Sequence, residues 1–373
     1  MRGYLLDAWE EGSTVRLFVK THDRVVLAVE ENFLPYFYAL PSTEKDLKTL
    51  ERVELTEKGR IIRPVSVHLE RKKLKGEPVE AAKILVEKQA DIEPLRHFIR
   101  DAMKLPLFEY DLPLLRRYFI LRGLWPFCGV ELKGKEEAGI FKLLSPPRPV
   151  DLPEPELNIL AFDIEVYNPA GSPRVEVDPV IMISLADTKG LRKVLTWKGS
   201  AGLDFVEELG GEKEMLARFI ELVRERDPDI LVGYNTDLFD FPYLRRRAEL
   251  LGVKLTLGRE GSEPLARRRR FASATRVEGR VHCDLYAMVN FLALTGAIRL
   301  IHYTLGEVYK YLTGKEKPEL EFTEIAEAWD GGGEKYRKLL EYSMGDAQAA
   351  LELAQELLPL FLQLAKVIGQ SLF

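Results

Sequence analysis

The sequence predicts a mixed α/β (α+β) protein, with a β-rich N-terminal domain followed by an α/β domain whose mixed sheet is covered by helices. Three observations predict it. Short apolar runs broken by turn residues dominate up to about residue 130, strand-like and helix-like periods alternate from Leu157 onward, and a long helical period begins after Gly333.

In the N-terminal part, Val15-Arg16-Leu17-Phe18-Val19 and Tyr36-Phe37-Tyr38-Ala39-Leu40 have the β-branched and aromatic content of strands, with a helical stretch around Pro94 to Met103. A domain is therefore expected over residues 1–130. Between Gly129 and Glu156 the chain becomes rich in Lys, Glu and Pro, as in Pro146-Pro147-Arg148-Pro149, which predicts a connector over residues 131–156. Leu157 to Val166, Val180 to Ala186 and Lys193 to Trp197 read as three strands. A helix from Glu212 to Arg226, a strand at Ile230-Leu231-Val232 and a helix from about Pro242 to Leu251 come next. The last helical region is expected to run to about Leu358 and to be bent or broken by Pro359, so the second domain spans 157–357 and a C-terminal segment covers 358–373.

Composition narrows the class. With 46% hydrophobic and 30% charged residues the chain lies in the globular range. Two distant cysteines, Cys128 and Cys283, support neither a disulfide framework nor a zinc finger, and fit a reducing cytoplasm. No apolar run is long enough to span a bilayer. At a net charge of −5 the whole molecule would not be drawn to a polyanion, so any nucleic-acid contact must rest on local patches. Arg245-Arg246-Arg247 and Arg267-Arg268-Arg269-Arg270 are the candidates, although an isolated arginine run is ordinarily a solvated face.

Candidate chemistry lies in three places. In Leu160-Ala161-Phe162-Asp163-Ile164-Glu165-Val166 two acids at i and i+2 of an apolar strand share one face of the sheet. Two such carboxylates repel unless protonated or neutralised, and a hard divalent cation with oxygen ligands does the second. Taken alone, the pair also fits the solvated face of an edge strand. In Tyr234-Asn235-Thr236-Asp237-Leu238-Phe239-Asp240 a strand runs into a polar turn, and Asp240 stands at the head of a helix, where a plain capping role fits equally. In Tyr342-Ser343-Met344-Gly345-Asp346 the tyrosine and aspartate are four apart and share a helix face.

As an ordered set, Asp-x-Glu, Tyr-Asn-x-x-x-Phe-Asp and Tyr-x-x-x-Asp resemble the three exonuclease motifs of family B DNA polymerases, in the RNase H-like superfamily. Segments such as Val180-Ile181-Met182-Ile183-Ser184 and Gly279-Arg280-Val281-His282-Cys283-Asp284-Leu285-Tyr286 are similar to its archaeal branch. The resemblance covers nearly the whole chain and implies a 3′→5′ proofreading exonuclease. It also implies that the family's palm, fingers and thumb are missing, so polymerase activity is not expected from this chain alone. By this resemblance Asp163 would bridge two divalent ions, with Glu165 and Asp346 on the ion that activates water and Asp240 on the second. Tyr342 would orient the water. Magnesium is the expected ion and manganese its substitute. Two ions about 4 Å apart are the general solution for such displacements.

For substrate, the resemblance implies DNA with single-stranded or frayed 3′ ends, and a separate polymerase-domain polypeptide as a candidate partner. Asn235 would hold the 3′ end and Phe239 would lie near the terminal nucleotides, although a core role suits Phe239 equally well. Arg267 to Arg270 would lie in a β-hairpin close to DNA. The N-terminal domain resembles the archaeal family's uracil-reading pocket at Pro35, Tyr36, Leu112, Pro113 and Arg117. It departs from the pattern at Gln89, where relatives carry proline, and at Asp7, where an aromatic is expected beside Trp9. Shaping a β-rich core is the other role open to Pro35, Tyr36 and Pro113. Two further readings of the chain remain, a non-catalytic DNA-binding or partner-binding subunit with the same fold and an exonuclease that prefers RNA.

Overall fold

The computed structural model describes residues 1–373 except Lys58, Ala170, Arg270, Phe271, Phe322, Thr323 and Phe373; the side chains of Arg267, Arg268, Arg269 and Ala272 also lie outside the description. The chain divides into two units, Met1–Pro153 and Glu154–Phe373.

In the first unit the strands are β1 (Arg2–Glu11), β2 (Thr14–Lys20), β3 (Val25–Glu30), β4 (Tyr36–Ala39), β5 (Leu55–Glu57), β6 (Arg60–Ile62), β7 (Ser66–Leu74), β8 (Glu77–Leu85), β9 (Leu107–Phe108), β10 (Gly129–Glu137) and β11 (Ile140–Pro149). The helices are α1 (Glu44–Arg52), α2 (Ile92–Phe98) and α3 (Leu114–Arg122). A closed barrel forms in the order β1-β10-β11-β3-β2, and a separate sheet in the order β7-β8-β4-β9. Leu5, Val15, Leu17, Val19, Ala28, Val130 and Leu132 fill the barrel core, with Leu114 and Tyr118 of α3 packed against them.

The expected connector over residues 131–156 is therefore corrected: most of it is the β10–β11 hairpin of the barrel. Its composition misled because these strands bury few side chains beyond Val130 and Leu132, leaving β10 largely to Lys and Glu and the end of β11 to Pro. Irregular register beside Lys133 accommodates the prolines of β11, which sit at the strand's end.

In the second unit the strands are β12 (Ile159–Val166), β13 (Val180–Asp187), β14 (Arg192–Thr196), β15 (Val206–Glu208), β16 (Ile230–Gly233), β17 (Leu265–Arg269), β18 (Ala272–Arg276) and β19 (Val281–Asp284). The helices are α4 (Glu212–Arg226), α5 (Asp240–Leu251), α6 (Leu285–Leu294), α7 (Leu305–Thr313), α8 (Glu324–Gly331) and α9 (Gly333–Ile368). The six-stranded sheet has the order β15-β14-β13-β12-β16-β19. β13 is antiparallel to β12 and β14, whereas β16 is parallel to β12 and β19. This mixed sheet with its flanking helices is the RNase H-like fold.

One face of β12 sends Leu160, Phe162, Ile164 and Val166 into a core built with α4 and α5. Phe162 sits between Phe219 and Phe241, with ring centroids 5.5 and 5.3 Å away. The other face of β12 meets α9. That helix runs through Pro359 to Ile368 and ends at Gly369 in the left-handed region, so of the expected bend or break at Pro359 the break, and the end near Leu358, are corrected. A proline inside a helix removes one hydrogen bond and costs about 3 kcal/mol. Burial of Phe361 and Ala365 beyond it, with Phe361 against the Phe291 ring at 5.8 Å, carries the helix on. The expected boundary at 357/358 thus falls inside a continuous element.

Candidate metal centre and active site

Strand alternation fixes the first two acids. With Phe162 and Ile164 committed to the core, Asp163 and Glu165 must point to the opposite face, toward α9. Asp346 comes from α9, and the three residues offer carboxylate oxygens that all lie within 4.8 Å of one another. Asp163 is half-buried, and Glu165 and Asp346 are buried.

Such a cluster is electrostatically expensive. Burial, then the charges of Asp240, Glu165 and Asp346, hold the Asp163 carboxyl well above its ordinary range. Burial and Asp346 do the same to Glu165. Burial raises Asp346 too, against the opposing pull of Lys317. Glu165 Oε1 is buried with no hydrogen-bond partner among the described residues, and so is Asp240 Oδ1. Buried carboxylate oxygens left unbonded are costly, and a hard cation with oxygen ligands relieves both the repulsion and the missing bonds. The donor set therefore fits a divalent ion.

Asp240 is not among the three clustered carboxylates. It is the first residue of α5, after Phe239 at the cap position, so it does not cap the helix. It is 2% exposed, and burial followed by the charge of Asp284 raises its carboxyl to about 8, against the opposing effect of the Asp240 and Ile164 backbone amides. Its charge is felt at Asp163. Burial, with the charges of Glu165, Asp346 and Asp163, pushes the phenol of Tyr342, one turn before Asp346, upward, so it holds its proton.

Lys317 was not visible as a site residue. It stands in the polar stretch Gly314-Lys315-Glu316-Lys317-Pro318, which carries no signal beyond that of a surface loop. In the structure its Nζ is 2.6 Å from Asp346 Oδ1 and 4.5 Å from the Tyr342 ring centroid. Both side chains of the ion pair are only 8% exposed. A cleft of about 420 Å³ opens there, lined in part by Thr304, Gly306, Lys317, Tyr342 and Asp346.

The turn before Asp240 is held by another unforeseen residue. Asn235 adopts φ 67°, a left-handed conformation that asparagine tolerates better than most. Asp284 accepts hydrogen bonds from the backbone amides of Asn235 (2.8 Å) and Asp237 (3.1 Å) while capping α6 through Tyr286. Gly233 makes the turn possible, because a Cβ there would lie 2.8 Å from the Phe162 carbonyl oxygen. Beneath it His282 bonds Thr236 Oγ1 and the Thr275 carbonyl, and burial lowers its imidazole to about 4.

The expected substrate contacts divide. Asn235 is half-exposed at the turn. Phe239 packs against the core cluster and the Tyr243 ring at 5.5 Å, which favours its structural role. Arg247 is buried against Glu212 and the Val175 carbonyl, and Arg246 lies beside Glu249 and Glu176, so within that run Arg245 is left exposed to solvent. β17 and β18 do form a hairpin, pairing Leu265 with Arg276 through Arg269 with Ala272. The expected contacts of Arg267, Arg268, Arg269 and Arg270 lie outside the described residues.

In the N-terminal unit, Arg117 is 1% exposed, ion-paired to Glu109 and stacked over Tyr36 at 4.0 Å. Gln89 Nε2 donates to the Leu112 carbonyl at 3.3 Å. Pro35 is buried, whereas Pro113 is exposed at the start of α3. Asp7 is buried, and its carboxylate accepts from Ala8 N and Trp9 Nε1. No helix among the described residues is long and apolar enough to cross a membrane.

The family description "DNA polymerase family B, exonuclease domain" matches residues 105–308, more than half of the chain. A DNA polymerase of Pyrococcus glycovorans is 37% identical over 366 residues, covering 98% of this chain and 43% of the relative. DNA polymerase 1 of Pyrococcus abyssi is 36% identical over the same shares. The solved family B DNA polymerase of the archaeon Pyrobaculum calidifontis superimposes with a TM-score of 0.85 at 28% identity, over 100% of this chain and 48% of that one. The chain thus spans less than half the length of these relatives. A domain match of that extent, on an RNase H-like sheet where Asp163, Glu165 and Asp346 converge, places the chain in the family B DNA polymerases, as their N-terminal and exonuclease regions.

Proposed function

We propose that the chain removes nucleotides from DNA 3′ ends in a divalent-metal-dependent hydrolysis, the proofreading chemistry of its family. The observation that carries this reading is the trio of half-buried Asp163 and buried Glu165 and Asp346, with a carboxylate oxygen left unbonded inside it. Asp163, Glu165 and Asp346, with Asp240 beside them, are the residues that would hold the cations. Magnesium, with manganese as substitute, suits this oxygen-only donor set. The bound cations would supply an activated water and neutralise charge on the attacking and leaving oxygens.

The chain's own contribution is positional. β12 presents Asp163 and Glu165 from a rigid central strand, and α9 presents Tyr342 and Asp346 one turn apart. A protonated Tyr342 can donate a hydrogen bond to an attacking water but is a poor base. The Lys317 ammonium offers a fixed positive charge to a phosphate entering the cleft. Half-exposed Asn235 supports a contact to the 3′ end, and the reading adds contacts of Arg267, Arg268, Arg269 and Arg270 to the DNA backbone.

The test is degradation of a 5′-labelled single-stranded DNA in Mg²⁺ or Mn²⁺, beside a matched duplex, a matched RNA and an excess of chelator. Stepwise loss from the 3′ end of DNA, faster on single strands and abolished by chelator, is expected. Binding without cleavage would instead support a non-catalytic subunit, and faster loss of RNA would redirect the substrate.

A further inference from the structure

Helix α9 carries Gly345 in its interior, between Met344 and the metal-site residue Asp346. An interior helical glycine is about 1 kcal/mol less favourable than alanine, so its presence asks for a local reason. A Cβ at this position would lie 2.8 Å from Cδ and 3.3 Å from Cγ of Pro318. Those atoms belong to a ring closed on the backbone and cannot swing aside as the end of a flexible side chain would. Pro318 directly follows Lys317, whose ammonium reaches both Asp346 and the Tyr342 ring.

We propose that Gly345 is a positioning residue whose missing side chain seats Pro318 against α9 and so delivers the Lys317 ammonium to Asp346 and Tyr342. The proposal rests on the metal-dependent nuclease reading above. It makes the arm around Lys317 a regulator of that site's charge. With the ammonium seated, an incoming divalent cation must share Asp346 with it, so cation affinity is held down while a positive charge is kept beside the cleft. A methyl at position 345 would lift Pro318 and withdraw the ammonium. The trio would then be more anionic and bind a cation more tightly, yet turn over more slowly. Nonspecific loosening would do the reverse to affinity, because disordered ligands bind more weakly.

The experiment measures Mn²⁺ binding by calorimetry without DNA, and kcat on single-stranded DNA, for the wild-type chain, Gly345→Ala and Gly345→Ala/Pro318→Ala. Alanine favours helix, so the single variant is expected to fold, which circular dichroism checks. Gly345→Ala should bind Mn²⁺ roughly tenfold more tightly, the scale of one charge-assisted contact, with a reduced kcat. Removing the Pro318 ring should return both values toward wild type. Unchanged or weaker Mn²⁺ binding in Gly345→Ala, or no recovery in the double variant, overturns the proposal while an active wild type leaves the nuclease reading standing. A wild-type chain that neither binds Mn²⁺ nor cleaves DNA overturns both.

Discussion

Asp163 sits where three other acids act on one carboxyl, and its replacement should be the most damaging in the site. Asp163→Ala is expected to lower single-strand degradation by orders of magnitude with an unchanged circular dichroism spectrum. Tyr342→Phe removes one hydrogen bond and keeps every carboxylate, so a smaller loss of about 10²–10⁴-fold is expected. A phenylalanine variant slower than Asp163→Ala would contradict these roles. Asp240 gives the site a pH signature. Its carboxyl is raised from 3.8 to about 8 in the folded, metal-free chain. Between those values the folded state holds a proton that the unfolded state has released, so stability is fully present below about pH 4 and is lost as pH rises through about 8. Asp163, Glu165 and Asp346 shift in the same direction. Thermal midpoints in chelator should therefore fall between about pH 5 and 8.5, less steeply for Asp240→Asn and less steeply with Mg²⁺ present. A midpoint that climbs with pH across that window would sink the assignment. At this scale the sequence was most legible where spacing alone fixes direction, as at Asp163 with Glu165 and at Tyr342 with Asp346. Lys317 and Asp284 were not legible, because their partners are distant in sequence and nothing in the flanking residues marks them.

Elements were legible where one face is apolar and the other is not. The β12, β13, α4 and β16 segments each carried a clear apolar pattern, and the structure places them close to the expected bounds. Three elements were misjudged for physical reasons. β10 and β11 bury so few side chains that their lysines and glutamates masked a hairpin, and α9 outlasts Pro359 because Phe361 and Ala365 gain burial beyond it. In the N-terminal unit, the Arg117–Tyr36 stack and the Gln89–Leu112 bond gather residues of the proposed uracil site, although Arg117 is itself committed to Glu109. If that site operates, metal-free binding of single-stranded DNA with one uracil should exceed that of its thymine twin by roughly 10- to 200-fold, the worth of one methyl in a close-fitting pocket. Equal affinities at matched salt would leave this unit as a general DNA or packing platform.

For the whole molecule, the sequence marked a β-rich beginning and an α/β remainder, but it put the end of the first part near residue 130, whereas the first compact unit extends to Pro153. Chain cut after residue 130 should accordingly fail to give a cooperative thermal transition, whereas residues 1–153 should give one. Two cooperative transitions of equal midpoint would mean that the final hairpin is dispensable. The barrel imposes an order of events on synthesis. Its β1, β2 and β3 are made within the first 30 residues, but the strands that join β1 to β3 are residues 129–149. On the ribosome, β1 and β3 must wait with unsatisfied edges while about a hundred further residues emerge, several seconds at ordinary elongation rates. Open edges of that kind recruit other strands. The nascent chain is thus most exposed to misassociation before its first unit is complete, and lowering the synthesis temperature or supplying a chaperone should raise soluble yield chiefly by protecting that interval.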